Sequence, residues 1–137
     1  MENKGLKALL LVHGLITFAA SIVLIIAPSA IPKTVNINIS PNEYLLCYFL
    51  GASELCIAFL SVFARKIEDR SSLRLISAAF IVFHISTGAM EMVALANGLS
   101  SKIIFNVFLR ILISILFWYF GIYKIKKITV NNKVILN

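Results

Sequence analysis

Four long apolar stretches, separated by short polar connections, fill most of this chain of 137 residues. They cover residues 8–27, 44–64, 73–97 and 103–123. Each is about 20 residues or longer, and an α-helix of that length, rising about 1.5 Å per residue, crosses a hydrocarbon core of about 30 Å. The pattern therefore predicts an all-α membrane protein in which residues 1–137 form a single domain with four transmembrane helices.

The connections predict how these helices are arranged. Residues 40–43, Ser-Pro-Asn-Glu, form a capping box with proline at the first helical position, which is a specific start signal for the second helix. The loop of residues 65–72 and the turn of residues 97–100 are short, and short links make neighbouring helices run antiparallel. We expect an up-down-up-down bundle.

The distribution of basic residues predicts the orientation of the bundle. Lys and Arg number 13, and ten of them lie in the N-terminus, in or beside the loop between the second and third helices, and in the tail. Only Lys33 and Lys102 lie on the opposite side, and Arg110 lies within the fourth segment. Because Lys and Arg accumulate in short cytoplasmic loops, we expect both termini in the cytoplasm and a multi-pass protein of the cytoplasmic membrane. Residues 124–137 are expected to form a mobile basic tail.

A formal net charge of +7 raises the question of nucleic-acid binding. The basic residues, however, lie at the ends of apolar segments and form no basic face of a soluble fold. With 60% hydrophobic and 14% charged residues, the chain is also too apolar for a soluble domain of this size. The predicted partner is therefore the lipid bilayer, and no nucleic acid is expected.

Every apolar segment carries at least one ionisable side chain inside it. These residues are His13, Glu54, His84, Glu91 and Arg110. A charged group at the middle of the bilayer costs about 2.5–3.5 kcal/mol on insertion scales, so such groups are rarely left on lipid-facing surfaces. We expect the five side chains to face one another and to form a buried polar core.

Helical spacing places these groups beside other polar or small residues. His84 and Glu91 are seven residues apart and share one face of the third helix. Asn106 and Arg110 are separated by one turn of the fourth helix. Glu54 lies in a lane of small residues on the second helix, where a neighbouring helix can approach closely.

Three interpretations of the polar core follow from these residues. In the first, the core binds a small amphipathic ligand such as a quinone, a lipid or an isoprenoid, and Arg110 holds its polar head. In the second, the carboxylates and histidines move protons in a small proton-coupled transporter or act in a membrane-embedded lipid isomerase. In the third, the groups only hold the helices in register. Whether the protein is an enzyme stays open among these.

The sequence gives no sign of a metal or thiol site. It has no His-x-x-x-His or Glu-x-x-His pair, and Cys47 and Cys56 do not form Cys-x-x-Cys. We therefore expect no cofactor. Gly51, Ala52 and Gly88 suit close helix contacts within one chain or between chains, so a homo-oligomer and another membrane protein partner both stay open.

Several short motifs resemble those of the small bacterial four-helix membrane proteins that include the DoxX-like proteins. They are Ala27-Pro28 at the end of the first segment, Gly51-Ala52-Ser53-Glu54, and Phe83-His84 followed by Thr87-Gly88. The resemblance spans about residues 9–123. It implies a four-helix fold in the membrane, and some members of that group are accessory subunits of quinone-associated oxidoreductases.

Overall fold

The computed structural model describes residues 3–125, and this part of the chain is all helical, without a strand. Its α-helices are α1 (Lys4–Ile26), α2 (Ala30–Thr34), α3 (Tyr44–Ala64), α4 (Arg70–Ala96) and α5 (Ile103–Phe117). A 3-10 turn over Pro41–Glu43 precedes α3, and a π-helical stretch over Trp118–Tyr123 extends α5. Most of the predicted basic tail lies outside the described residues.

Four of these helical stretches are long and apolar enough to cross a membrane. They are Lys4–Ile26, Pro41–Ala64, Arg70–Ala96 and Ile103–Tyr123. The prediction of four membrane-spanning segments is therefore confirmed by length and composition. Many large apolar side chains on these helices are exposed, for example Ile26 at 76% and Leu75 at 72%, which suits a surface that faces lipid.

Helices α1 and α4 begin earlier than the sequence predicted, because each is capped by a polar side chain. Asn3 Oδ1 accepts a hydrogen bond from the Leu6 amide at 3.2 Å, and α1 therefore starts before residue 8. Asp69 accepts one from the Ser72 amide at 2.7 Å, and α4 starts before residue 73. The apolar pattern could not indicate these first turns, since they are polar.

The start of α3 confirms the predicted capping box. The Ser40 amide and the Ser40 hydroxyl both donate to Glu43 Oε2, at 2.6 and 2.8 Å. Pro41 occupies the first turn, where its missing amide proton costs nothing. These contacts fix where the second membrane-spanning helix enters.

The connection between α1 and α3 contains a helix, α2, that the apolar pattern did not indicate. After α2, Asn36 takes a φ of 61°, in the left-handed region that asparagine tolerates better than most residues. Lys102 Nζ donates to Asn36 Oδ1 at 3.1 Å, and Asn36 Nδ2 donates to Ser100 Oγ at 3.4 Å. The connection is thereby joined to the turn before α5.

Small residues let α1 and α3 pack closely. The Ser21 hydroxyl donates to Gly51 O at 2.7 Å, and the Ser61 hydroxyl donates to Leu10 O at 2.8 Å. A Cβ atom added to Gly51 would lie 2.9 Å from Ile25 Cγ1, so a larger residue has no room there. Leu10, early in α1, thus pairs with Ser61, late in α3, and Ser21, late in α1, pairs with Gly51, early in α3.

Helices α4 and α5 form a second closely packed pair. Gly121, in the π-helical stretch, lies directly against the Ser77 side chain, and Gly88 lies against the side chain of Arg110. At two positions along this helix pair, a glycine on one helix thus makes room for a polar side chain on the other.

The two helix pairs are also joined where α1 begins. The side-chain amide of Asn3, in front of α1, donates to Phe120 O at 2.7 Å. The buried apolar core lies at the same end and takes residues from α1, α3, α4 and α5, together with the last described residue of the chain. These residues are Leu6, Leu10, Ala64, Phe80, Phe117 and Ile125. This core holds the two pairs together.

Candidate functional site

Two histidines from different helices touch inside the bundle. His13 of α1 and His84 of α4 are 5% and 6% exposed, and their Nε2 atoms lie 3.0 Å apart. On its other side, His13 Nδ1 lies 3.0 Å from Ser61 Oγ. One hydrogen-bonded chain therefore links α1, α3 and α4.

The hydrogen bonds define the tautomers of a neutral histidine pair. Ser61 uses its only hydroxyl proton to donate to Leu10 O, so its oxygen must accept from the Nδ1–H group of His13. His13 Nε2 then carries no proton and accepts from the Nε2–H group of His84. His84 Nδ1 is left as an acceptor, and this buried atom has no hydrogen-bond partner within residues 3–125.

Apolar rings enclose His13. The ring centroids of Phe80 and Phe117 lie 5.0 and 5.1 Å from that of His13, and both phenylalanines are buried. Because these rings exclude water, His13 depends on Ser61 and His84 for its hydrogen bonds. Loss of either partner would leave a buried nitrogen unpaired.

A second polar cluster joins α4 to α5. Arg110 Nε–H donates to Glu91 Oε1 at 2.9 Å, and the side-chain amide of Asn106 donates to the same oxygen. The side chains of Arg110 and Glu91 are only 19% and 15% exposed. Asn106 and Arg110 project from successive turns of one helix, which is why both reach a single carboxylate oxygen.

Several hydrogen-bonding groups of this second cluster are open. Glu91 Oε2 is buried and unpaired, and within residues 3–125 the terminal nitrogens of Arg110 make no hydrogen bond. Glu54 of α3 lies within electrostatic reach of Arg110, yet within the same residues it makes no hydrogen bond. The cluster thus has donors and acceptors that the described part of the chain does not use.

Gly88 lies between the two clusters and makes room for Arg110. A Cβ atom added to Gly88 would lie 3.7 Å from Arg110 Cδ and 3.8 Å from Arg110 Cβ. His84, Gly88 and Glu91 follow one another on a single face of α4. The Arg110 side chain therefore lies over α4 about one turn from His84, and its charge acts on both His84 and Glu54.

The five predicted residues thus fall into two groups. His13 contacts His84, and Glu91 contacts Arg110. Within residues 3–125, Glu54 makes no hydrogen bond to the other four, and it lies within electrostatic reach of Arg110.

Ser61 was not predicted, although it joins His13 to α3. A signal was available, because Ser61 lies seven residues after Glu54 and hence on the same helical face. Spacing alone did not distinguish it from the small residues that commonly pack at contacts between membrane helices.

The described residues contain no arrangement typical of a metal site. Within residues 3–125, no three or more His, Cys, Asp or Glu side chains lie close enough together to hold a metal ion. Cys47 is a buried free thiol, and Cys56 is an exposed one.

Comparisons with protein-family models, with curated proteins and with solved structures each found no match. What this protein does must therefore be inferred from the two polar clusters themselves.

Proposed function

We propose that this protein spans the membrane and binds a small amphipathic molecule, such as a quinone, a lipid or an isoprenoid, beside Arg110 and Glu91. The observation that supports this proposal is the set of open hydrogen-bonding atoms: the terminal nitrogens of Arg110, Glu91 Oε2 and His84 Nδ1, the last about two helical turns before Glu91 on α4. Buried polar atoms in proteins are nearly always paired, because an unpaired one costs about 1–3 kcal/mol. Glu91 Oε2 and His84 Nδ1 are buried and unpaired, and a bound head group that pairs either of them would remove that cost.

The open atoms indicate the chemistry of the head group. Arg110 offers N–H donors, which suit a carbonyl, hydroxyl or phosphate oxygen. His84 Nδ1 and Glu91 Oε2 are acceptors, which suit a hydroxyl group. A quinone in its reduced or half-reduced form carries both kinds of group on one ring, and its apolar tail would lie among the lipid-exposed side chains.

We further propose that the helices run up-down-up-down in the cytoplasmic membrane, with both termini in the cytoplasm. The order of the contacts supports the arrangement: Leu10 near the start of α1 pairs with Ser61 near the end of α3, and Glu91 late in α4 pairs with Asn106 early in α5. The accumulation of Lys and Arg near the termini and in the loop between α3 and α4 supports the orientation. The histidine pair then lies closer to the cytoplasm than the Arg110 cluster.

The resemblance to DoxX-like proteins supports a partner class, a quinone-associated oxidoreductase. The motif Phe83-His84 contributes one of the open acceptors, His84 Nδ1. The Thr87 hydroxyl of the same motif donates to Phe83 O at 2.7 Å and is therefore satisfied within α4. We propose that this protein supplies or holds quinone as an accessory subunit of such an enzyme.

The histidine pair favours a second candidate function, proton transfer. A proton that binds His84 Nδ1 would allow His84 to release its Nε2 proton to His13 Nε2, which carries none, so that the positive charge passes from one ring to the other. A relay of this kind suits a proton-coupled transporter or a lipid isomerase, with Glu54 or Glu91 as a further proton acceptor.

Thermal denaturation of the purified protein in detergent tests the binding proposal. Quinones, quinols, prenyl alcohols and phospholipids are added one class at a time, and a ligand present at about 100 times its Kd stabilises the folded state by about 2.7 kcal/mol. We expect one class to raise the Tm of the wild type but not that of Arg110→Met. Arg74→Gln, which removes an exposed arginine of α4, is the matched control and should respond as the wild type does. A missing shift for every class, or an equal shift in Arg110→Met for every class that raises the Tm of the wild type, would overturn the proposal.

Proteoliposomes with an internal pH-sensitive dye test the second candidate. An imposed pH difference should decay faster with the wild type than in empty liposomes, and His84→Phe should abolish the difference. Equal decay rates for wild-type and empty liposomes would exclude proton transfer. If neither experiment gives an effect, the purely structural interpretation of the polar residues stands.

A further inference from the structure

An apolar groove runs along the surface between α1 and α3. Its volume is 220 Å³, which is below the range of about 300–1,000 Å³ typical of pockets for drug-sized ligands. On α3 its lining extends over residues 55–63, about 12 Å of helix axis at about 1.5 Å per residue. The groove is therefore narrow and elongated along the helices.

The groove has a shallow floor and aromatic walls. At its floor α1 and α3 approach each other closely, since a Cβ atom added to Gly14 would lie 2.7 Å from Val62 Cγ2. Its walls include Phe18, Phe59 and Phe63, which are 48%, 63% and 46% exposed. A narrow channel with such walls suits a single alkyl chain. It is too narrow for a partner helix, because an α-helix with its side chains is about 10–12 Å wide.

The groove points toward the basic end of α3. Arg65 follows Val62 by three residues, and Lys66 follows Phe63 by three, so both continue the face that lines the groove. The backbone of Arg65 is still helical, with φ −61° and ψ −23°. Lys66 Nζ lies 5.3 Å from the ring centroid of Phe63, which places this charge at the end of the groove.

Arg65 has an unmet hydrogen-bonding requirement. Its Nε atom is buried without a hydrogen-bond partner, and within residues 3–125 no carboxylate forms an ion pair with it. Buried polar atoms are rarely left unpaired, and a phosphate presents acceptor oxygens that match the guanidinium fork. The described part of the chain thus leaves Arg65, which follows the groove residue Val62 by about one helical turn, without an anion.

We infer that this groove, together with Arg65 and Lys66, binds an anionic phospholipid, with one acyl chain in the groove and the phosphate at Arg65. The occupant must combine a linear alkyl chain with a negative head group, and an anionic phospholipid has both. Anionic lipids are enriched in the cytoplasmic leaflet, the side to which the basic loop of residues 65–74 is assigned. The inference does not depend on a ligand at Arg110, which belongs to the other helix pair.

Native mass spectrometry of the full chain tests the charged half of this site. The protein is incubated with phosphatidylglycerol or with phosphatidylcholine of the same acyl chains, and the retained lipid is counted. We expect the wild type to retain phosphatidylglycerol in preference, and each of Arg65→Gln and Lys66→Gln to weaken that binding about fivefold, which corresponds to roughly 1 kcal/mol per basic group. Arg74→Gln is the matched control, since it removes an exposed cation of α4 on the same side.

Phe59→Ala tests the apolar half. Phe59 lines the groove and is 63% exposed, whereas Phe49 of the same helix is 62% exposed and lies outside it. Phe59→Ala should lower the retention of both lipids, and Phe49→Ala should not; circular dichroism checks that each variant is folded. Equal retention of the two lipids by the wild type would mean a non-specific lipid shell and would overturn the inference. An equal effect of Arg74→Gln and Arg65→Gln, or of Phe49→Ala and Phe59→Ala, would overturn it as well.

Discussion

The Nε2 atoms of His13 and His84 face each other at 3.0 Å, so the two imidazoles share one hydrogen bond within the membrane-spanning part of the chain. The pair joins α1 to α4, two helices that each pack mainly against another neighbour. Because His13 forms its other hydrogen bond with Ser61 of α3, the single imidazole ring of His13 connects α1, α3 and α4.

We predict that His13 and His84 are energetically coupled. His84→Leu leaves His13 Nε2 buried without a donor, which should lower the free energy of unfolding by about 1–3 kcal/mol. His13→Leu with His84→Leu should cost less than the sum of the single changes, since neither nitrogen is then left unpaired. Unfolding of the purified variants by denaturant in detergent measures this cycle. Effects that add to within about 0.5 kcal/mol would contradict the coupling.

The tautomers of the two rings are a separate prediction. We expect the proton of neutral His13 on Nδ1 and that of neutral His84 on Nε2, because the Ser61 hydroxyl already donates to Leu10 O. Nitrogen-15 NMR of protein labelled at histidine distinguishes the two forms. Ser61→Ala should change the spectrum of His13 more than that of His84, and the opposite assignment in the wild type would contradict the hydrogen-bond chain.

Removing the charge of Glu91 should destabilise the α4 and α5 pair. Glu91→Gln leaves the mostly buried guanidinium of Arg110 without its carboxylate, and breaking such a pair costs about 3 kcal/mol. Adding Arg110→Met to Glu91→Gln should restore part of the loss, because the uncompensated charge is gone. The free energy of unfolding of the single and double variants tests this, and a double variant less stable than Glu91→Gln would argue against it.

Two glycines of the same helix pair should respond in opposite ways to alanine. A Cβ atom at Gly88 would make only ordinary contact with Arg110, at 3.7 Å from Cδ, so Gly88→Ala should be neutral or stabilise by up to about 1 kcal/mol through helix propensity. A Cβ atom at Gly121 would fall within the Ser77 side chain, so Gly121→Ala should lower the Tm. Adding Ser77→Gly should recover part of that loss. Equal Tm values for Gly88→Ala and Gly121→Ala would contradict the packing described.

The cap of α4 predicts a dependence on pH. Asp69 has a pKa below its usual value of 3.8, because the Ser72 hydroxyl, the Ser72 amide and the Ser71 amide donate to the ionised carboxylate. Since the pKa is lowered in the folded state, the cap stabilises α4 above pH 3.8, and this contribution is lost as the pH falls through the folded pKa. An NMR titration of the Ser72 amide should have its midpoint below 3.8, and a midpoint at or above 3.8 would contradict the cap. Asp69→Ala, which has no cap to titrate, is the control.

The sequence predicted the helices wherever apolar length or a capping motif defined them. The second predicted segment, residues 44–64, agrees with α3 at Tyr44–Ala64, because the capping box at Ser40 and Glu43 marks its start. The polar first turns of α1 and α4, the short helix α2 and the π-helical stretch Trp118–Tyr123 carry no apolar signature and could not be predicted.

Which polar groups pair with which was harder to predict. Sequence spacing placed His84 and Glu91 on one face and Asn106 and Arg110 on successive turns, and these residues do meet. Spacing could not choose partners between helices, because the rotation of each helix depends on close approaches such as that at Gly88. Glu54 therefore looked equivalent to the other ionisable residues, although in the described part of the chain only charge links it to Arg110.

The enclosure of His13 also bears on how the protein is made. His13 lies in α1, which is synthesised before α4 and α5, the helices that carry His84 and Phe117 and complete the surroundings of His13. After its insertion into the bilayer, α1 therefore carries a His13 imidazole whose Nε2 atom has no hydrogen-bond donor until α4 is inserted. A chain truncated before α4 would lack the donor for His13 Nε2 permanently.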